Sequence, residues 1–95
     1  MAELLRVKGE IVRQDESPAG ARKSADLFLQ ALDLARQQGA LSWELRAATS
    51  LARLWREKGR IIEAKELLSA VYDRFTEGFE TTDLRAARAL IDAPG

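Results

Sequence analysis

The chain contains neither cysteine nor histidine among its 95 residues. This absence excludes disulfide bonds, zinc sites built from thiolate or imidazole ligands, and every mechanism that needs a histidine base or a cysteine nucleophile. We therefore expect no catalytic residues, no metal and no cofactor, and a small helical enzyme is the least favoured class of function. The lack of cysteine is compatible with a cytoplasmic location.

Net charge and long apolar runs are also lacking. The 15 basic and 15 acidic residues cancel, so no overall field draws the chain to nucleic acid or to an anionic membrane. No apolar run approaches the roughly 20 residues of a membrane-spanning helix, and the first residues lack the apolar stretch of a signal peptide. We expect one soluble intracellular domain whose partners include neither nucleic acid nor a membrane.

Proline is rare, and three glycines fall at regular intervals. Gly39, Gly59 and Gly78 are 20 and 19 residues apart, and the segments between them are rich in Ala, Leu, Glu, Lys and Arg. Such segments favour helices, which glycine closes and proline opens. The sequence therefore predicts an all-α fold of five antiparallel helices, over about residues 3–14, 19–38, 42–58, 61–76 and 81–92, with Ser42 as a cap.

Small residues recur around the predicted corner at Gly59. Ala52 and Ala64 are expected to let two helix backbones approach closely, so that Trp55 and Leu68 interdigitate. The positions that fit the spacing of a tetratricopeptide repeat are Ala48, Leu51, Ala52, Trp55, Ala64 and Leu68. A looser match in the first hairpin comprises Leu5, Gly9, Val12, Ser24, Phe28 and Ala31, with a connecting segment about three residues too long.

On these residues the chain resembles tetratricopeptide-repeat proteins. The resemblance implies a single domain over residues 1–95 in which antiparallel hairpins stack as a short right-handed superhelix. Repeat one would cover about residues 2–39, repeat two about 42–76, and a capping helix about 81–92. Such arrays present a concave surface to other proteins, so the resemblance implies an interaction or scaffold module.

A narrower resemblance concerns residues 31–91. The segment Phe75-Thr76-Glu77-Gly78-Phe79, followed by Thr82-Asp83-Leu84, is similar to the C-terminal end of large bacterial multidomain regulators. Those proteins join a class III nucleotide cyclase or a DNA-binding domain to an ATPase module and a helical repeat array. The resemblance implies the terminal repeat domain of a signalling protein, and no residue here matches the parent's cyclase carboxylates or phosphate-binding loop.

Several features that resemble functional sites have simpler interpretations. The acidic pairs Glu63/Glu66 and Glu77/Glu80 are expected to be solvated surface, and Gly9 indicates close helix packing. The helix that begins at Ile61 is too apolar and too acidic to read DNA as part of a helix-turn-helix. Of the aromatic residues, Trp55, Tyr72 and Phe75 lie on predicted core stripes, whereas the roles of Trp43 and Phe79 stay open.

Arginines on the first helix of each pair form the candidate binding site. In tetratricopeptide-like arrays these helices line the concave groove, and arginine grips carboxylates through its planar fork. We expect an acidic peptide or a C-terminal carboxylate as the partner, unless these arginines merely pair with Glu10 and Glu57 on their own helices. The outward positions also include Thr49, and the candidate residues are Arg6, Arg13, Arg46, Arg53 and Arg56.

The alternative function is that of a structural element that contacts a second copy of the chain or another domain of its parent protein. The apolar residues of the first helix cannot all face Phe28 and Leu32, so part of that helix needs a partner. We therefore expect a symmetric homo-dimer through the first or last helix, or an intramolecular lid on a parent ATPase or cyclase regulator. The apolar residues concerned are Leu4, Leu5, Val7, Ile11 and Val12.

Overall fold

The computed structural model describes residues 1–15 and 17–94. Within this part of the chain the structure is entirely helical, which confirms the predicted class and the number of helices. Glu16, in the connection predicted to be too long, and Gly95, at the predicted domain limit, lie outside the described residues. The helices are α1 (Ala2–Arg13), α2 (Pro18–Gln38), α3 (Leu41–Glu57), α4 (Ile61–Tyr72) and α5 (Thr82–Asp92).

The corners after α2 and α3 share one geometry. Gly39 and Gly59 have positive φ values of 66° and 80°, a conformation that glycine adopts at little cost. The residue after each glycine donates its backbone N–H to the carbonyl five residues back, at 2.9 Å for Ala40 to Ala35 and 2.8 Å for Arg60 to Trp55. These bonds satisfy carbonyls at the helix end, and they confirm the two predicted corners.

The predicted cap at Ser42 and the predicted end of the fourth helix are wrong. The corner at Gly39 places Ala40 at the start of α3, so the helix begins at Leu41 without a side-chain cap and Ser42 has no capping role. α4 ends at Tyr72 instead of Thr76. The chain leaves the helix there because Arg74 reaches back to Glu44 on α3 and Phe75 packs against the core.

α3 lies at the centre of the domain. It contacts all four other helices, whereas α2 and α4 do not touch one another within the described residues. This arrangement is compatible with a stack of antiparallel hairpins in which α1, α3 and α5 form one row. Trp55, Tyr72 and Phe75 pack partly buried against the core, as predicted, and its fully buried members include Ala31, Leu32, Leu45, Ala48, Ala52, Ala64, Leu68, Val71, Leu84 and Ala87.

Close packing at Gly9 holds the first hairpin together. A Cβ atom at Gly9 would stand 2.5 Å from Cε1 of Phe28, whose side chain is 0% exposed. The Ser24 hydroxyl donates to the Gly9 carbonyl at 2.6 Å in the same buried contact. The predicted packing role of Gly9 is confirmed, because the contact leaves no room for a side chain at this position of α1.

Candidate functional site

A polar groove lies along the row formed by α1, α3 and α5. It encloses about 300 Å³ and is lined by Arg6, Arg46 and Arg53, with Thr49 and Ser50 beneath them and Asp83 and Ala86 on α5. We call it the arginine groove. Three of the five predicted site residues thus come together, because the three helices bring their charged faces to one side of the domain.

α1 contributes a row of alternating charges to this side. Its charged residues at positions 3, 6, 10 and 13 are separated by three or four residues and therefore follow one helix face. Arg6 Nε lies 2.8 Å from Glu3 Oε1, and Arg13 Nε lies 3.0 Å from Glu10 Oε1. A second interaction joins Arg6 to Glu10 at 3.6 Å. The row is thereby largely neutral along its length.

Arg46 bridges the three helices. Its Nη1 atom lies 2.7 Å from Glu3 Oε2 on α1, and its Nε atom lies 2.8 Å from Asp83 Oδ2 on α5. The hydrogen bond from Arg6, aided by Arg46, outweighs desolvation and holds the pKa of Glu3 below its ordinary value of 4.5. Asp83 and Glu3 in turn raise the pKa of Arg46. Arg46 therefore acts as a positioned cation and not as a freely mobile one.

Ser50 connects α1 to the floor of the groove. Its hydroxyl donates to Glu10 Oε2 at 2.9 Å and accepts from Arg6 Nη1 at 3.3 Å. The Ser50 residue is 1% exposed, so these bonds fix the Arg6 guanidinium from below. The prediction that Thr49 points outward is wrong, because Thr49 is 6% exposed and its hydroxyl donates to the Leu45 carbonyl at 2.8 Å.

Arg53 differs from its two neighbours in the groove. Its side chain is exposed, and within the described part of the chain it forms no ion pair. Glu57, which lies one helical turn further along α3, pairs instead with Arg13 of α1. The donors of Arg53 therefore face the groove without an internal carboxylate.

The other two predicted site residues lie outside the arginine groove. Arg13 lines a separate cavity of about 640 Å³ together with Glu10, Glu57 and Lys58. Arg56 donates from Nη2 to the Pro94 carbonyl at 3.0 Å, and its Nη1 atom is buried without a partner among the described residues. The five arginines thus occupy three different places.

Sequence analysis missed a buried carboxylate that joins three segments. Glu44, in the first turn of α3, is 1% exposed. Arg74, just after α4, lies 2.7 Å from Glu44 Oε2, and Arg36 of α2 lies 3.1 Å from the same oxygen. The only sequence signal was an acidic residue among the apolar residues of α3, and its two partners are distant in the sequence.

Within residues 1–15 and 17–94, no group of acidic side chains is arranged to hold a metal ion, and no helix combines the length and the apolar character needed to cross a bilayer.

Comparisons were made with protein-family models, with curated proteins and with solved structures. None of the three yielded a match to this chain. The resemblance to tetratricopeptide repeats and to the end of bacterial regulators therefore stays a prediction from the sequence.

Proposed function

We propose that this domain is a non-catalytic protein-interaction module whose arginine groove binds an acidic peptide or the C-terminal carboxylate of a protein chain. The observation that carries the proposal is Arg53, which presents its donors beside Arg6 and Arg46 without an internal carboxylate. Tetratricopeptide-like stacking, a cytoplasmic location and a place at the end of a larger regulatory protein belong to the same proposal.

The neighbours of Arg53 explain why the groove would favour one carboxylate at a defined place. Arg6 and Arg46 pair with Glu3, Glu10 and Asp83. Because their charges are compensated, they would orient a bound carboxylate more than they would attract it. A peptide carboxylate would bind Arg53 through its planar fork, and its chain would pass over Ala86 of α5. Because the site is partly exposed, its affinity should depend strongly on salt.

The test uses a fluorescent peptide of alternating glutamate and leucine with a free C-terminal carboxylate. Arg53→Glu should weaken binding of this peptide at least tenfold and leave helicity unchanged, because the exposed Arg53 side chain makes no internal ion pair within the described residues. Reversing Arg46 as well would be less informative, since it also breaks the contacts to α1 and α5.

Arg85 provides the matched control. It is an exposed arginine on α5 and does not line the groove, so Arg85→Glu makes the same change in net charge and should leave binding within about twofold. Peptide binding that survives Arg53→Glu, or that ignores added salt, would refute the groove as the binding site. An amidated peptide of the same sequence shows whether the terminal carboxylate is the group recognised.

A second candidate function rests on the outer face of α1. Leu4, Val7 and Ile11 are 50%, 40% and 62% exposed, and their spacing of three and four residues forms one apolar stripe. Such a stripe supports the alternative of a structural element that dimerises or stacks against a parent domain. If this is right, Leu4→Ser with Ile11→Ser should abolish association in light scattering without affecting peptide binding in the arginine groove.

A further inference from the structure

A second groove lies between the start of α2 and the end of α3. Its floor is apolar and consists of Ala21, Ala25, Leu54 and Trp55, and its volume is about 270 Å³. Three cationic residues, Arg22, Lys58 and Arg60, form its rim. We call it the basic-rimmed groove. It shares no residue with the arginine groove.

The charges around this groove are only partly compensated. The Arg60 guanidinium lies 4.6 Å from the centre of the Trp55 ring and pairs with Glu63 at 2.8 Å. Arg22 and Lys58 are exposed and form no ion pair within the described residues. Glu57, next to Lys58, is engaged by Arg13. A complementary ligand therefore has a bulky apolar group with carboxylates on either side of it.

The same chain carries a segment of this composition. In Glu77-Gly78-Phe79-Glu80, between α4 and α5, the Phe79 ring is 45% exposed and both glutamates are exposed. Neither glutamate forms an ion pair in the part of the chain that the structure describes. This acidic turn thus offers one aromatic side chain between two available carboxylates.

The backbone holds the acidic turn in a defined shape. Gly78 has a φ of 76°, and the Thr81 N–H donates to the Gly78 carbonyl at 2.9 Å, which places Phe79 and Glu80 at the tip. The Tyr72 ring supports Phe79 from one side, with 5.6 Å between the ring centres. A preordered turn loses little conformational freedom on binding, so it suits a docking role.

The acidic turn does not reach the groove of its own chain. The chain that leads to the turn is held at the start of α3 by the pair between Arg74 and Glu44, whereas Leu54 and Trp55 lie near the end of that helix. About ten helical residues separate these points, which corresponds to roughly 15 Å at 1.5 Å per residue. No residue of the acidic turn lines the groove of its own chain, so a contact between the two requires a second copy.

We propose that the acidic turn of one copy docks into the basic-rimmed groove of another, with Phe79 on the apolar floor and the two glutamates facing Arg22 and Lys58. Donor and acceptor surfaces differ, so the association is head-to-tail and produces open chains or a closed ring. The contact area is small, which places the association among transient interactions. This proposal does not depend on peptide binding in the arginine groove.

The experiment compares self-association of the chain and three variants by sedimentation at millimolar concentration. Phe79→Ser removes the anchor of the turn, and Arg22→Glu with Lys58→Glu reverses the rim. Each change should lower the association constant at least tenfold with unchanged helicity. Trp43→Ser is the matched control, because it removes an aromatic side chain of similar exposure, 40%, that belongs neither to the acidic turn, nor to the basic-rimmed groove, nor to the α1 stripe, and it should leave association within twofold.

Mixing the two defective variants distinguishes a head-to-tail contact from a symmetric one. The Phe79→Ser protein keeps its groove and the rim-reversed protein keeps its turn, so the mixture should form a complex of one copy of each. A wild-type chain that stays monomeric overturns the proposal, as does a mixture that fails to associate. If Leu4→Ser with Ile11→Ser abolishes association, the α1 stripe is the contact and the proposal is also wrong.

Discussion

The two sides of α3 are built from different chemistry. Towards α2 and α4 it presents an apolar layer of small and aliphatic side chains, among them Ala48, Ala52 and Leu45, which are each no more than 1% exposed. Towards α1 and α5 it presents a polar seam, in which Arg46 joins Glu3 and Asp83. The apolar layer is closed to solvent, whereas most charged groups of the seam stay partly exposed.

Together with the proposed function, this difference predicts that stability and recognition depend on different sides of α3. Burial of apolar surface stabilises the fold in proportion to the area removed from water, whereas a partly exposed ion pair contributes at most about 1 kcal/mol. Substitutions in the apolar layer should therefore unfold the domain, while substitutions in the polar seam should change what it binds.

Removing the Phe28 ring should cause the largest loss. The side chain is 0% exposed and packs with Leu51 and Leu54, so Phe28→Ala should lower the free energy of unfolding by about 3–5 kcal/mol in urea denaturation.

The contact between Gly9 and the Phe28 ring can be tested in two backgrounds. In the wild type, Gly9→Ala should cost about 1–3 kcal/mol because its Cβ meets the ring. With Phe28→Leu the same change should become nearly neutral. An equal cost in both backgrounds would show that the ring is not the obstacle.

Glu44 is the polar residue expected to behave like a core residue. Glu44→Ala leaves Arg36 and Arg74 without their shared carboxylate, and we expect a loss of about 2–3 kcal/mol, below the full value for a buried pair because both arginines remain half exposed. The control is Glu57→Ala, which breaks the exposed pair with Arg13 and should cost no more than about 1 kcal/mol. Equal losses in thermal denaturation would contradict the division between layer and seam.

Ala52 and Ala64 test how tightly the second hairpin packs. Both are 1% exposed, so Ala52→Leu or Ala64→Leu should lower the free energy of unfolding by about 1–3 kcal/mol through overpacking. Ala70→Leu is the control, because Ala70 lies exposed on the same helix as Ala64 and should shift stability by about 0.5 kcal/mol or less. Unchanged thermal midpoints for both core variants would refute the proposed contact.

Glu3 should show the smallest effect, and one that depends on pH. Because Arg6 and Arg46 hold its pKa below 4.5, the ionised form stabilises the fold above that pH, and the contribution disappears as the pH falls through the lowered pKa. Glu3→Gln should cost about 0.5–1 kcal/mol at neutral pH, and this cost should shrink as the pH falls below 4.5. A difference that stays constant over this range would exclude the ionised carboxylate as its source.

The sequence predicted most of the apolar layer, because helical periodicity and glycine corners are local signals. The cap at Ser42 was wrongly predicted because the glycine corner places Ala40 at the start of α3. The end of α4 was missed because it coincides with a tertiary contact, the hydrogen bond from Arg74 to Glu44. The burial of Glu44 could not be read from the sequence, because its two partners come from other segments.

The candidate site was predicted in part. Arg6, Arg46 and Arg53 line one groove, as their helix faces indicated, and Glu10 pairs with arginines of its own helix as the alternative predicted. The bridges from Arg46 to Glu3 and Asp83 and the separate position of Arg56 were not foreseen. Thr49 lines the same groove, but its burial was not foreseen, because a hydroxyl that bonds within its own helix allows a polar residue to be buried. The sequence around a surface arginine does not show which carboxylate of another helix it will pair with, as for Arg46 and Asp83.

The carboxylate of Glu44 has a consequence for how the domain comes apart. Stacked hairpins contact mainly their neighbours, so an array of them can open from one end while the rest stays folded. Here the buried Glu44 carboxylate joins the end of α2, the start of α3 and the segment just after α4. If any one of these segments detaches, this carboxylate loses a partner and becomes exposed to solvent. Amide hydrogens in α2, α3 and α4 should therefore exchange through a single global opening, and the two hairpins should melt as one cooperative unit.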